Sequence, residues 1–284
     1  MWYLMEHVQR SYTLSERLLR AIGVGGTRQE DIEQLIRQGA NVNQAHGTFL
    51  PLHCACMMGD ASSVAVLLKW GADVNRFDGY HRTALHHAAE HSASCTALLL
   101  AAGAETENVD TNGNTALHWA AFRNRADCCR LLLEHGADAD CTDFNHDTPL
   151  SWAAMKGHYP CVQVLLEHNA SPDVRNCAGL VPLSRLALLL AAGLEVDERA
   201  FELLLRSMGS VEVRDREGRL PPLLARDKRM RTRLLALCTT PRPLAQLGRS
   251  AVRRCLGPCH LPSAVSALPV PERLQRFLLL EEAA

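Results

Sequence analysis

The chain has 284 residues, 30 basic and 31 acidic, with a formal net charge of −1. That balance lacks the positive field that would draw nucleic acid or an anionic membrane. The first ten residues carry no continuous apolar run of the secretory kind. The longest apolar stretch, residues 186–194, is far short of the ~20 residues that span a bilayer. On these features the chain is expected in the cytosol or nucleus, with its 11 cysteines reduced.

Leu14 to Ile22 and Asp31 to Gly39 read as two helices joined by a loop at Gly23 to Gly26. Residues 1–45 then form an N-terminal segment with a capping repeat, needed because the outer face of a stack meets water. From there a period takes over. Pro51-Leu52-His53, Thr83-Ala84-Leu85-His86, Thr115-Ala116-Leu117-His118, Thr148-Pro149-Leu150-Ser151 and Val181-Pro182-Leu183-Ser184 recur at steps of 32 or 33. Midway fall Gly39-Ala40, Gly71-Ala72, Gly103-Ala104, Gly136-Ala137 and the variant Asn169-Ala170.

Each recurring residue has a task. Thr83 and Thr115 suit an N-cap, and Pro149 suits a first helical turn. Ala88-Ala89, Ala120-Ala121 and Ala153-Ala154 keep the first helix of a repeat narrow. Leu67-Leu68, Leu98-Leu99, Leu131-Leu132 and Leu165-Leu166 supply the core face of the second. Gly71, Gly103 and Gly136 stop that helix in the left-handed conformation, with Asn169 as a tolerable substitute. Asp78-Gly79 and Asn112-Gly113 read as projecting hairpin tips.

Residues 46–176 hold four regular repeats, and residues 177–238 hold degenerate ones. Within the latter a second helix, Phe201 to Met208, arrives late, so Ala191 to Asp197 reads as an insertion. A partial repeat, Gly218 to Cys238, closes the array. A period of 33 with a TPLH-type motif resembles the ankyrin family. The resemblance implies an all-α solenoid of about six to seven repeats.

His53, His86 and His118 fall one per repeat, about 10 Å apart, the usual distance between packed helices. Metal ligands must approach far more closely, so these read as structural histidines, and Trp119 and Trp152 read likewise as repeat-position residues. Cys255, Cys259 and His260 lack the second half of a zinc site. No metal and no cofactor is expected. No nucleophile, phosphate-binding or zincin motif is present, which argues against an enzyme.

Past Cys238 prolines appear at 241, 243, 258, 262, 269 and 271, with short amphipathic helices between them. One starts after Pro243 and carries Leu244, Leu247, Ala251 and Val252 on a single face. Another starts after Pro271 with Leu274, Phe277 and Leu278. Residues 241–280 resemble a SOCS box, an adaptor module of cullin-RING ubiquitin ligases. Pro243-Leu244, Gly248 and Val252 match its first half in spacing, Gly248 standing where the family usually has Cys. Leu268-Pro269-Val270-Pro271 matches its second.

The chain thus resembles the ankyrin repeat and SOCS box family along essentially its whole length. The resemblance implies a non-catalytic substrate receptor. Leu244, Leu247, Gly248 and Val252 would meet Elongin C of the Elongin B/C pair. Leu268, Pro269, Val270 and Pro271 would meet a cullin, cullin five with its RING protein. A protein target would lie on the concave side of the repeats. The candidate contacts are Phe77, Tyr80, His81, Arg82, Asn112, Asn114, Phe144, Asn145 and His146, since exposed aromatic and Arg side chains are common anchors. The alternative, a non-degradative scaffold that sequesters a signalling protein, rests on Gly248. Lysines number only three (Lys69, Lys156 and Lys228) against 27 arginines. Avoidance of self-ubiquitination and plain compositional drift both account for that ratio.

Overall fold

The computed structural model describes residues 2–24, 29–194, 197–208, 211, 213–239, 244–257 and 259–279. Among these every extended element is helical, apart from an isolated bridge between His46 and Phe49. The chain divides into two compact units, residues 1–136 and 137–284.

The first unit contains α1 (Trp2–Val24), α2 (Gln29–Arg37), α3 (Pro51–Met57), α4 (Ala61–Lys69), α5 (Ala84–His91), α6 (Ala93–Ala101), α7 (Ala116–Phe122) and α8 (Ala126–Glu134). Helices α1, α3, α5 and α7 pack in one row and α2, α4, α6 and α8 in a second. The second unit holds α9 (Pro149–Lys156), α10 (Tyr159–Glu167), α11 (Pro182–Ala191), α12 (Glu198–Ser207), α13 (Pro222–Arg226) and α14 (Lys228–Thr239). It ends with α15 (Leu244–Leu256), α16 (Leu261–Ser266) and α17 (Glu272–Leu278). There α9, α11 and α13 form a row, α10 packs on α12, and the last three helices pack on one another.

The alanine pairs explain the close rows: Ala88, Ala89, Ala120, Ala121, Ala153 and Ala154 are all fully buried. Of each leucine pair one member, Leu67, Leu99, Leu132 or Leu165, is also fully buried, each contributing about 2 kcal/mol of transfer free energy. The second helices stop as the sequence requires. At Gly71, Gly103 and Asn169 the chain turns left-handed, and the next N–H reaches back to Leu67, Leu99 and Leu165 respectively.

The threonine caps carry an additional partner. His86 sits at the third helical position, and its Nδ1 accepts the Thr83 N–H at 3.1 Å. Its Nε2 meets the Asn114 carbonyl of the next repeat at 3.0 Å. His118 accepts the Thr115 N–H in the same way. His53 reaches the Arg82 carbonyl at 3.1 Å, but Leu50 occupies its cap position and its Nδ1 has no partner. The His53 and His86 rings thereby stitch neighbouring repeats together.

Three elements differ from the sequence reading. Helix α1 is far longer than Leu14 to Ile22, because no Gly or Pro interrupts residues 2–22. Helix α12 starts at Glu198, a turn before Phe201, because Asp197 caps it, its carboxylate accepting the Arg199 N–H. Helix α16 was not anticipated; it buries Leu261 and Val265 one turn apart.

Candidate functional site

The candidate residues fall into two groups, those of the hairpin tips and those of the C-terminal helices. The tips share one frame. Oδ1 of Asp78 accepts the N–H groups of Tyr80 and Arg82, at 2.8 and 2.9 Å. Asp110 does the same for Asn112 and Asn114, and Asp143 for Asn145 and Asp147. The second oxygen takes a ring N–H nine residues on: His87 for Asp78, Trp119 for Asp110 and Trp152 for Asp143. Burial alone would raise the carboxyl groups of Asp78 and Asp110. Their hydrogen bonds outweigh it and hold both below the ordinary carboxylate range.

On this frame the candidates separate. In the first unit Phe77 stacks on His81, ring centres 4.0 Å apart, and His81 takes a left-handed backbone. Tyr80 is more than half exposed, and Asn112 also faces water. Asn114 does not: it is buried, its amide donating to Asp110 and its carbonyl meeting His86. It serves the turn and presents no side chain to a partner, because the residue closing the tip must point inward. Arg82 is also engaged within the unit. Its guanidinium lies 3.9 Å from the Trp119 ring centre and bridges Glu90 at 3.3 Å and Asp110 at 3.6 Å. Glu90, which the sequence reading missed, is buried and takes a further bond from Arg123 at 3.0 Å. In the second unit Phe144 is 71% exposed, with Asn145 and His146 exposed beside it.

The C-terminal helices show an inverted polarity. Along α15 Leu247, Gly248, Ala251 and Val252 all face water. A side chain built at Gly248 would meet nothing within 4 Å. Leu244 opens the helix, but its side chain and all of Pro243 lie outside the described residues. The opposite face turns Arg249 and Arg253 inward, 2% and 6% exposed. Burial first, and the neighbouring Arg249 second, bring the Arg253 guanidinium down to about 10, still charged at neutral pH.

The Leu268–Pro271 segment forms a tight turn, the Val270 N–H reaching the Leu268 carbonyl at 2.8 Å. Gln275 donates to the carbonyls of Leu268 and Val270, fixing the turn against α17. Pro269 and Pro271 are exposed, and Leu268 and Val270 are half-buried. Leu278 packs inward as expected, whereas Leu274 is half exposed and off the packed face.

All 11 cysteines are free thiols. Among the described residues no cluster of His, Cys, Asp or Glu suited to a metal ion occurs, and no helix is long and apolar enough to cross a membrane.

Comparison with known proteins gives the same two parts. The family described as Ankyrin repeats (3 copies) matches residues 18–110 and 91–176, and the SOCS box family matches residues 240–279. Ankyrin repeat and SOCS box protein 8 of Homo sapiens, of Bos taurus and of Mus musculus are each 62% identical to the chain, over 99% of both lengths. An all-helical array of ankyrin repeats followed by a SOCS box, matched end to end by these relatives, settles the family: the chain belongs to the ankyrin repeat and SOCS box proteins.

Proposed function

We propose that the chain is the substrate-recognition subunit of an Elongin–cullin–SOCS-box ubiquitin ligase, acting in the cytosol or nucleus. The repeats hold a target protein, through tip residues such as Phe77, Tyr80, His81 and Phe144. The box recruits Elongin B/C through α15, and cullin five with its RING protein through Leu268 to Pro271. Ubiquitin is transferred by the recruited enzymes onto a target held close to them, so this chain contributes proximity and no chemistry of its own.

The observation that carries the reading is the outward apolar face of α15. Leu247 and Val252 are 43% and 39% exposed on a helix that buries Arg249 and Arg253, the reverse of what an unpartnered surface helix would adopt. The test is co-purification of the full chain with Elongin B/C. Wild type binds, and Leu244→Asp, which replaces an apolar anchor by an unpaired buried carboxylate, loses at least a hundredfold in affinity.

One observation favours the second reading, a non-degradative scaffold: Gly248 leaves a gap in the apolar face. The variant Gly248→Cys decides between the two. Tightening of an existing complex by a few-fold fits the receptor. Binding that appears only in the variant fits the scaffold.

A further inference from the structure

Asn169 stands where Gly71, Gly103 and Gly136 end the second helices of the preceding repeats, and it holds the same left-handed backbone, φ 63°. An L side chain is strained there, so glycine would serve the repeat better. The amide, however, reaches out of the repeat. Its Nδ2 donates to the Arg253 carbonyl at 2.9 Å and to the Gly257 carbonyl, both at the C-terminal end of α15. Carbonyls in the last turn of a helix are left without intrahelical donors, so such partners satisfy them.

The box answers in kind. Arg253 Nη2 donates to the Leu166 carbonyl at 2.6 Å, at the end of α10. Arg249 Nη2 donates to the Arg206 carbonyl at 2.7 Å, at the end of α12, while its guanidinium covers Phe277. Two cations one helical turn apart therefore sit on the negative ends of two repeat helices, where such charges are favoured. Burying them nevertheless costs solvation, and two apolar side chains would pack these helices without that cost. What apolar packing lacks is direction: hydrogen bonds to carbonyls fix both the spacing and the rotation of α15.

We propose that Asn169, Arg249 and Arg253 are positioning residues that lock the SOCS box at one angle to the last repeats. The lock sets where the Elongin face of α15 points relative to the repeats that carry the tip at Phe144. It deepens the ligase reading and rests on that reading only for its consequence, a fixed direction of ubiquitin delivery.

Cys177, in the loop before α11, and Cys255, on α15, are exposed thiols and report this angle directly. The experiment attaches spin labels to both in the full chain, with Cys54, Cys141, Cys238 and Cys259 changed to serine. Distance distributions are then measured by pulsed electron resonance, alone and with Elongin B/C.

Wild type gives one narrow distribution. Asn169→Gly keeps or raises the melting temperature, leaves Elongin B/C affinity within twofold, and at least doubles the width of the distribution. Arg249→Ala combined with Arg253→Ala broadens it further, and Arg253→Lys, which retains one donor, partly restores it. A purely structural role would move stability and leave the width alone. If the alanine pair fails to fold, Asn169→Gly remains decisive, since glycine suits that backbone. A distribution in Asn169→Gly as narrow as wild type overturns the lock. Failure of wild type to bind Elongin B/C overturns the ligase reading instead, and the width measured on the chain alone still decides the lock.

Discussion

His86 accepts the Thr83 N–H at Nδ1 and donates from Nε2 to the Asn114 carbonyl, so a second proton would set N–H against N–H. Burial is the main cause that brings its imidazole down to about 4 from 6.5. The same cause, joined by the nearby His87, acts on His53. A histidine depressed in the folded state contributes stability that is complete above the unfolded value of 6.5. That stability is lost as pH falls towards 4, because the unfolded chain takes up a proton that the folded chain refuses. Between pH 7 and pH 5 each of the two should remove about 2 kcal/mol. Urea unfolding at a series of pH values checks this. His53→Gln, whose amide still donates to the Arg82 carbonyl, should reduce proton uptake on unfolding at pH 5 by about one. An unchanged slope would mean that His53 is not kept neutral by the fold. The positions of these residues were readable from the period alone. Their capping role was not, because a histidine in place of the usual Glu or Gln at the third helical position gives no familiar capping signal.

At the scale of the hairpin tip, the choice between Asp and Asn follows from what the second polar atom of the side chain faces. Asp78, Asp110 and Asp143 face ring N–H groups, which need an acceptor. Asn176 makes the same two backbone contacts, to Ala178 and Leu180, but its amide donates to Asp147. Asp110→Asn should therefore keep the turn and lose the Trp119 bond and the attraction to Arg82, costing about 1–2 kcal/mol. Asp110→Ala also strands the Asn112 and Asn114 N–H groups and should cost about 3 kcal/mol. Thermal unfolding of the two variants gives the order, and equal losses would remove the distinction between backbone and ring contacts. Elements whose ends are set by local chemistry, such as the helices closed by Gly71 and Gly103, could be placed from sequence. Helix α16, with two buried residues, carries too short a pattern to be seen. The inward turn of Arg249 and Arg253 was hidden for a different reason: their partners on the repeats are carbonyls more than forty residues away, and backbone groups leave no mark in a sequence.

At the scale of the whole molecule, the proposed function places every exposed amine of the chain at risk of modification by the enzyme it recruits. Only Lys69, Lys156 and Lys228 are available, and all three are exposed on helices. Arginine preserves the charge these surfaces use for solubility and ion pairing while offering no acceptor amine. If the scarcity of lysine is protective, restoring it at sites with little structural role should restore modification. Arg226→Lys and Arg229→Lys qualify, since both side chains are exposed on the last two helices of the array and conserve charge. In a reconstituted complex with Elongin B/C, cullin five, its RING protein and a charged conjugating enzyme, the double variant should show self-ubiquitination raised several-fold over wild type. Mass spectrometry should find ubiquitin at positions 226 and 229. Folding and Elongin affinity should be unchanged, because neither arginine lies on the α15 face. Equal self-modification of variant and wild type would leave compositional drift as the account of the 27 arginines. The outcome bears on geometry as well. A box locked at one angle brings the donor to the same part of the array in every complex, so ubiquitin should favour one of the two grafted sites. Releasing the lock with Asn169→Gly should level the ratio between them.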